Sequence, residues 1–536
     1  MDPAVEATPD PLPRTRIRPP WYWGSLAGLL AGFLAVGIGL LTAQWFSVST
    51  PTDAVASAFI DRVPKWLKNL AIDWFGTNDK VALRVGMYVV IGLLAVLIGW
   101  RSLHARWIGV SGFLAFGFLG MLCVLDRPRS SFAAVMPVAL ATLSGIAALL
   151  TMLAALDRQW RATHFPQRSR VPLGLDRRGF LAVGGSVALA AVGTTIAGSA
   201  LETNRVRRLR ASAPGALPPV AESETRASVS STIDTNSAAA AIEAETPFIT
   251  PNDKFYRIDT AVSFPNVSAD NWKLRIHGLV NRELTLNYAD VLARPQVERT
   301  VTLACVSNEV GGDLVGTASW QGIPLAELFH EAGVQSSAQQ VFCTSADGWT
   351  CGFPVEAVFD GREPMLVIGM NGEPLPIQHG FPARLVVPGL YGYVSATKWL
   401  TDIHLTTWDD EAGYWTTRGW SVEAPIKAQS RIDVPRRGAD LQAGTIVLGG
   451  VAWAHRHGID RVEVRIDEGP WVATTLDSRG DLDTWRQWFY VWDATAGKHR
   501  VTVRTVDGSG AVQTDEIQSP DPDGATGHHS RRFTVR

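Results

Sequence analysis

The sequence predicts a chain of three parts: an α-helical transmembrane bundle over 1–200, an α+β domain over 248–428 and an all-β sandwich over 429–536, with a linker over 201–247. Three observations predict it. Apolar residues concentrate in the first two hundred positions, so only 19% of the 536 residues are charged and mean hydropathy reaches +0.07, where soluble chains carry roughly 25% charge. From about 248 to 407 short strand-like runs alternate with turns and a few short helices. After 429 come strand runs broken by Asp-Glu-Gly and Asp-Gly turns, at the spacing of a sandwich. A chain of this length exceeds one core and divides into about three or four domains.

A helix that spans a bilayer needs about 20 mainly apolar residues. Five stretches qualify, at 22–44, 83–100, 107–125, 133–155 and 179–200, and none carries a charge in its middle, where one is costly. Lysine and arginine in short loops set the orientation. Arg14, Arg16 and Arg18 precede the first span, Arg101 and Arg106 follow the second, and Arg158, Arg161, Arg168, Arg170, Arg177 and Arg178 follow the fourth. All share one face if the N-terminus is cytoplasmic; Lys65, Lys68, Arg127 and Arg129 are the fewer exceptions. Five crossings of the cell membrane then place everything after Ala200 outside. The stretch 54–75 has apolar residues at helical spacing beside Lys and Asp. It is either an amphipathic helix on the outer surface or a loop helix packed on the bundle. Residues 201–247 turn to Ala, Ser, Thr, Pro and Glu without sustained period, the pattern of an extended or disordered linker.

Composition also excludes classes. A net charge of −2 gives no basic face for nucleic acid. Four cysteines are too few for a disulfide framework, and no Cys-x-x-Cys-His run exists for covalent haem. Only His104 and His164 precede the linker, both near the cytoplasmic face, so no haem is predicted and the bundle reads as an anchor rather than an electron conduit. A transporter reading is disfavoured because no charged residue sits mid-span.

In the α+β domain KLRIHGLV alternates as a half-buried strand, ARLVVPGL reads as a short buried strand, and Gly322 through Gly333 has helical spacing with a glycine stop. Cys305 stands in Thr302–Asn308, at a strand end that runs into the turn of Gly311-Gly312. A lone buried cysteine is most often a small hydrophobe. As a lone thiolate ligand it makes sense only where a cofactor supplies the other ligands, and no zinc-spaced cluster surrounds it.

The segment LACVSNEVGGDLVGTASWQGIPLAELFHEAG resembles the molybdopterin-binding domain of the sulfite oxidase family, whose one protein ligand to molybdenum is a cysteine in this motif. Asn371 through Pro376 with His379 through Arg384, and Tyr391 through Leu400, agree with it in order. The resemblance covers about 245–410 and continues weakly to the C-terminus. It implies a molybdenum–molybdopterin cofactor with Cys305 as the metal ligand. It implies that Asn252, Tyr256 and Arg257 line the cofactor, Arg257 also facing substrate. Thr344, His379 and Arg384 match pterin contacts, and Ser395, Ala396, Thr397 and Lys398 match the loop around the pterin phosphate, its lysine placed to within one residue. A phosphate wants such cations and N–H groups.

Two departures bear on the substrate. Animal and plant members carry a second arginine five residues after the ligand cysteine, where this chain has Val310, and a tyrosine beside the metal, where it has Trp420. The implied activity is two-electron oxygen-atom transfer on a small substrate, either a sulfite-like anion or an S- or N-oxide, with a separate redox carrier as partner. The alternative is a membrane-tethered binding or assembly protein with a cofactor-free molybdopterin fold. Asp176-Arg177-Arg178-Gly179-Phe180-Leu181 resembles a twin-arginine export signal inside the chain. It serves either as that signal, fitting a protein that folds around a cytoplasmic cofactor before crossing, or as two positive-inside arginines.

Gly449 through Trp453 with Arg461 through Val464 resembles the C-terminal Ig-like domain through which sulfite oxidases form a homodimer; a sandwich capping a monomer is the other reading. Cys343 and Cys351 flank a turn that sets them across a hairpin, as a disulfide or as two buried thiols. His528 and His529 end a loop that reads as solvated rather than metal-binding.

Overall fold

The computed structural model describes residues 19–64, 67, 70, 74–75, 79–127, 132–164, 176–220 and 237–536. Arg14, Arg16, Arg18, Lys65, Lys68, Arg129, Arg168 and Arg170 lie outside them. The chain divides into two compact units, Met1–Arg205 and Val206–Arg536.

In the first unit, α1 (Trp21–Trp45), α3 (Asp79–Ser102), α4 (Arg106–Leu125), α5 (Phe132–His164) and α6 (Asp176–Ala211) contain five segments long and apolar enough to cross a membrane. Small residues let α1 and α3 approach closely: a Cβ on Gly28 would lie 2.1 Å from the Ala95 carbonyl, and one on Gly99 would lie 2.2 Å from that of Gly24. Between them α2 (Pro51–Arg62) starts on Thr50, whose hydroxyl accepts the Asp53 N–H at 3.0 Å. It ends before Val63-Pro64, because proline disfavours helix in the residue before it. Ala54 packs with Val124 and Val138, so this part of 54–75 follows the packed reading.

Two expectations are corrected at the linker. The fifth apolar helix does not stop at Ala200 but continues to Ala211, because residues 201–211 contain no Gly or Pro and Pro214 is the first breaker. At the far end Ser237–Glu245 forms α7, which buries Ala238, Ala239 and Ile242 against Phe489.

The second unit begins with a mixed sheet in the order β2-β1-β10-β5-β6, built from β1 (Lys273–Gly278), β2 (Leu284–Asn287), β5 (Gln340–Ser345), β6 (Thr350–Pro354) and β10 (Leu400–Thr406). Only β1 and β10 pair in parallel. A second sheet runs β3 (Val297–Ala304), β4 (Val315–Pro324), β7 (Met365–Met370) and β8 (Glu373–Pro374), with β9 (Arg384–Val386) also on β7. Helix α8 (Tyr288–Leu292) follows β2, and α9 (Leu325–Ala332) follows β4. The helix expected from Gly322 starts only at Leu325. Gly322 belongs to β4, where a side chain would lie 2.0 Å from the Leu366 carbonyl. Its stop is the expected one, Gly333 at φ 64°. Helix α10 (Gly392–Ser395) leads back to β10. Trp272, Trp320, Phe329 and Phe353 are fully buried in one continuous core.

The C-terminal part is two four-stranded antiparallel sheets, β11-β12-β16-β15 and β14-β13-β17-β18. Their ranges are β11 (Gln429–Val434), β12 (Gly444–Trp453), β13 (Ile459–Ile466), β14 (Val472–Ala473), β15 (Thr475–Leu476), β16 (Arg486–Ala494), β17 (Gly497–Asp507) and β18 (His529–Val535). Leu448, Val462, Trp488, Val503 and Phe533 share their core.

Candidate active site

Cys305 follows the last residue of β3, and backbone and side chain together fasten the turn after it. Its N–H donates to Leu314 O at 2.9 Å, its carbonyl accepts from Asn308 N at 3.0 Å, and Asn308 Oδ1 accepts from Leu314 N at 2.9 Å. Gly311 at φ 78° lets the turn reverse. The thiol is buried and faces a cavity also lined by Tyr256, Asp259, Ser307, His379, Arg384 and Lys398. Burial pushes the thiol pKa up, while the Ser307 N–H and hydroxyl pull it down by favouring the thiolate.

The cavity's polar wall is cationic. Arg384 enters from β9 and lies 5.0 Å over the Trp320 ring. Its donors go to the carbonyls of Leu385 and His379, at 3.3 and 3.1 Å, and it has no carboxylate partner among the described residues. Burial lowers its pKa to about 10, which leaves it charged at neutral pH. Lys398, on the loop between α10 and β10, donates to Asp259 Oδ2 at 2.6 Å; burial lowers it to about 8 against the opposing pull of Asp259. His379 lies at the end of a short 3-10 turn, and its Nε2 is 2.9 Å from the Asn252 carbonyl, so Nε2 carries the proton. Burial takes its pKa down to about 4 and the ring is neutral.

The rest of the wall is aromatic. Tyr256 stacks on Phe255 at 5.2 Å, and burial pushes its hydroxyl pKa far up. Trp420 packs against Tyr393 at 5.7 Å and Trp415 at 6.2 Å, and Trp349 comes from the β5–β6 turn.

Of the residues predicted from sequence, Tyr256, Cys305, His379, Arg384, Ala396, Lys398 and Trp420 meet in this cavity. Five do not line it. Arg257 turns to Asp259, with Nε 2.9 Å from Oδ2, and lies over Phe264. Asn252 contributes its carbonyl, its side chain being held by Asn371 Nδ2 at 2.8 Å. Thr344 is on β5, where alternation turns the next residue, Ser345, to the cavity instead. Ser395 is capped onto the Leu390 and Tyr391 carbonyls, and the Thr397 hydroxyl lies 3.0 Å from Cys351 Sγ. Asp259, Ser307, Trp349, Tyr393 and Trp415 line the cavity without having been singled out. A lone acid in the apolar run Ile258–Val262 was the available signal for Asp259.

Cys343 and Cys351 face each other across the β5–β6 ladder as buried free thiols. His529 Nδ1 accepts from Ile432 N at 2.9 Å and His528 Nε2 is 2.9 Å from Gln513 O, so both rings are committed to the sandwich.

The residues present fit an anionic cofactor with a soft metal end. Among the described residues Arg384 is buried with carbonyl partners and no carboxylate, and a buried cation of this kind is costly without a counter-ion. The buried Cys305 thiol, with Ser307 beside it, lines the same cavity.

Residues 261–415 match the family model described as the oxidoreductase molybdopterin binding domain. Human mitochondrial sulfite oxidase is 27% identical over 319 residues, covering 50% of this chain and 58% of that one. Arabidopsis thaliana sulfite oxidase is 25% identical over 335 residues, 51% of this chain and 84% of that one. An uncharacterized oxidoreductase of Bacillus subtilis, YuiH, is 36% identical over 151 residues, 28% of this chain and 73% of that one. The solved sulfane dehydrogenase SoxCD of Paracoccus pantotrophus aligns at 24% identity with a TM-score of 0.47, over 53% of this chain and 81% of that one. The chain belongs to the sulfite oxidase family of molybdopterin-binding oxidoreductases.

Proposed function

We propose that the chain is a membrane-anchored oxidoreductase whose catalytic half faces out of the cell and moves an oxygen atom and two electrons to or from a small substrate. The observation that carries this is the meeting of Cys305 with Arg384, Lys398 and His379 in one cavity. A bound molybdenum–molybdopterin supplies the redox change and the exchangeable oxygen. Cys305 would ligate the metal, helped to its thiolate by Ser307. Arg384, Lys398 and neutral His379, which keeps a hydrogen-bonding ring without adding charge, would hold the pterin and its phosphate. Tyr256, Tyr393, Trp349, Trp415 and Trp420 exclude water and shape the space left for substrate. Arg257 is engaged by Asp259, and Val310 stands where animal and plant relatives are expected to carry arginine. Both favour an S- or N-oxide with an apolar substituent over a bare sulfite-like anion. The paired C-terminal sheets serve as an Ig-like domain for homodimer formation, and a separate redox carrier exchanges the electrons.

Metal and pterin analysis of the full-length protein beside Cys305→Ser tests this. We expect about one molybdenum and one pterin per chain in the wild type, with turnover lost and pterin largely kept in the variant. Wild-type protein without molybdenum, from cells shown to load a related enzyme, would favour the cofactor-free binding protein instead. Full activity in the variant would sink the assignment of Cys305.

A further inference from the structure

We propose that Asp259 is a positioning residue of the cofactor cavity, which aims Lys398 at the phosphate end of the pterin and is itself held in place by Arg257. The inference rests on the molybdopterin reading of the cavity. Asp259 lies in an irregular stretch, its side chain 5% exposed. Its Oδ2 receives Lys398 Nζ at 2.6 Å and Arg257 Nε at 2.9 Å, and its Oδ1 is 3.4 Å from Arg257 Nη2. One carboxylate therefore fixes two cations of which only Lys398 lines the cavity.

Without it, Lys398 would keep a weak contact to the Gln378 carbonyl at 3.4 Å and would face Arg257 and Arg384 with no anion between them. A buried ammonium in that setting loses its proton or swings away. A lysine with four rotatable bonds also needs an anchor if its charge is to be aimed before the ligand arrives. Asp259 supplies both the countercharge and the direction, and the cluster keeps net positive charge for a phosphate.

The test is pterin and molybdenum content of full-length Asp259→Asn, Asp259→Glu, Lys398→Met and the Asp259→Asn/Lys398→Met double variant, after gel filtration at graded salt. Thermal unfolding of each cofactor-free protein is measured alongside. We expect Asp259→Asn to retain roughly tenfold less pterin, as for other groups that orient ligand-binding residues, and Asp259→Glu to recover most of it. In the Lys398→Met background the same change should cost little more. If Asp259→Asn fails to fold, Asp259→Ser is put through the same comparison. Full pterin retention in a variant that merely melts earlier would overturn the proposal, as would an undiminished effect in the Lys398→Met background. Wild-type protein that carries no pterin would overturn the parent reading and this one together, whereas a loaded wild type with an equally loaded Asp259→Asn would overturn this one alone.

Discussion

At the scale of single residues, charge without a partner separates the side chains built for a ligand from those built for the fold. Arg431 and Arg479 are as buried as Arg384, but each meets a carboxylate, Asp433 at 2.6 Å and Asp477 at 3.0 Å. Arg384 meets carbonyls only. A buried cation with no anion costs stability, and replacing it with an apolar side chain of similar volume is often neutral or stabilising. Arg384→Met should therefore leave the thermal midpoint of the cofactor-free protein unchanged or raised, while pterin retention collapses. A lowered midpoint would mean that the Arg384 bonds to the His379 and Leu385 carbonyls matter more than its unpaired charge. Such contrasts are invisible in sequence. Cys305 was legible because a thiol at a strand end before two glycines stands out, and the block around Lys398 because its order matches a family. Arg257 does not line the cavity because Asp259, two residues on, takes its guanidinium, which nothing in sequence shows. Thr344 does not line it either, because the side to which an alternating strand turns is decided by its partners.

At the scale of elements, β3 leads into Cys305 and is tied at Thr302 to the C-terminal part of the chain. Thr302 donates its N–H to Asp483 O at 2.9 Å, its hydroxyl receives Trp485 N at 2.7 Å, and its carbonyl accepts from His455 Nε2 at 2.7 Å. His455 follows β12, so one buried ring joins the sandwich to the strand that ends at Cys305. The legible parts were the strands themselves; the tie was not, because it pairs residues 153 positions apart. Burial lowers the His455 pKa to about 4, with Asp481 raising it and Arg456 lowering it less. Above pH 6.5 the ring is neutral folded or unfolded and contributes nothing to the pH dependence. As pH falls from 6.5 to 4 the unfolded chain takes up a proton that the folded one refuses, so stability drains away, on the order of 3 kcal/mol for this site. Below 4 both forms are charged and the loss levels off. His455→Gln keeps a donor for Thr302 and removes the titration. Its midpoint should fall less than that of wild type between pH 6.5 and 4, while His379 and His529 contribute alike to both proteins. Parallel curves would show that His455 does not stay neutral in the fold.

At the scale of the whole molecule, the proposed function makes opposite demands on the two halves: one would enter a bilayer, the other would fold around its cofactor before crossing. The apolar spans were legible because hydropathy is summed over some twenty residues and tolerates local error. The end of the last one was not, since residues 201–211 are polar and still helical. Five helices among the described residues are long and apolar enough to span; if all five cross, the two ends of the chain lie on opposite sides, and Arg177-Arg178 open the last of them. Two readings of that pair predict different chemistry. If they act only as positive-inside charges, any cation serves. If they are read as a twin-arginine signal, the planar guanidinium is the recognised group and lysine does not replace it. Arg177→Lys with Arg178→Lys keeps the charge and removes the guanidinium. The catalytic half of that variant should stay protected from protease added outside intact cells, with pterin still bound, whereas in the wild type it should be cleaved. Equal cleavage of both proteins would mean that charge alone sets the orientation and that the soluble half crosses by a route that does not read the arginines.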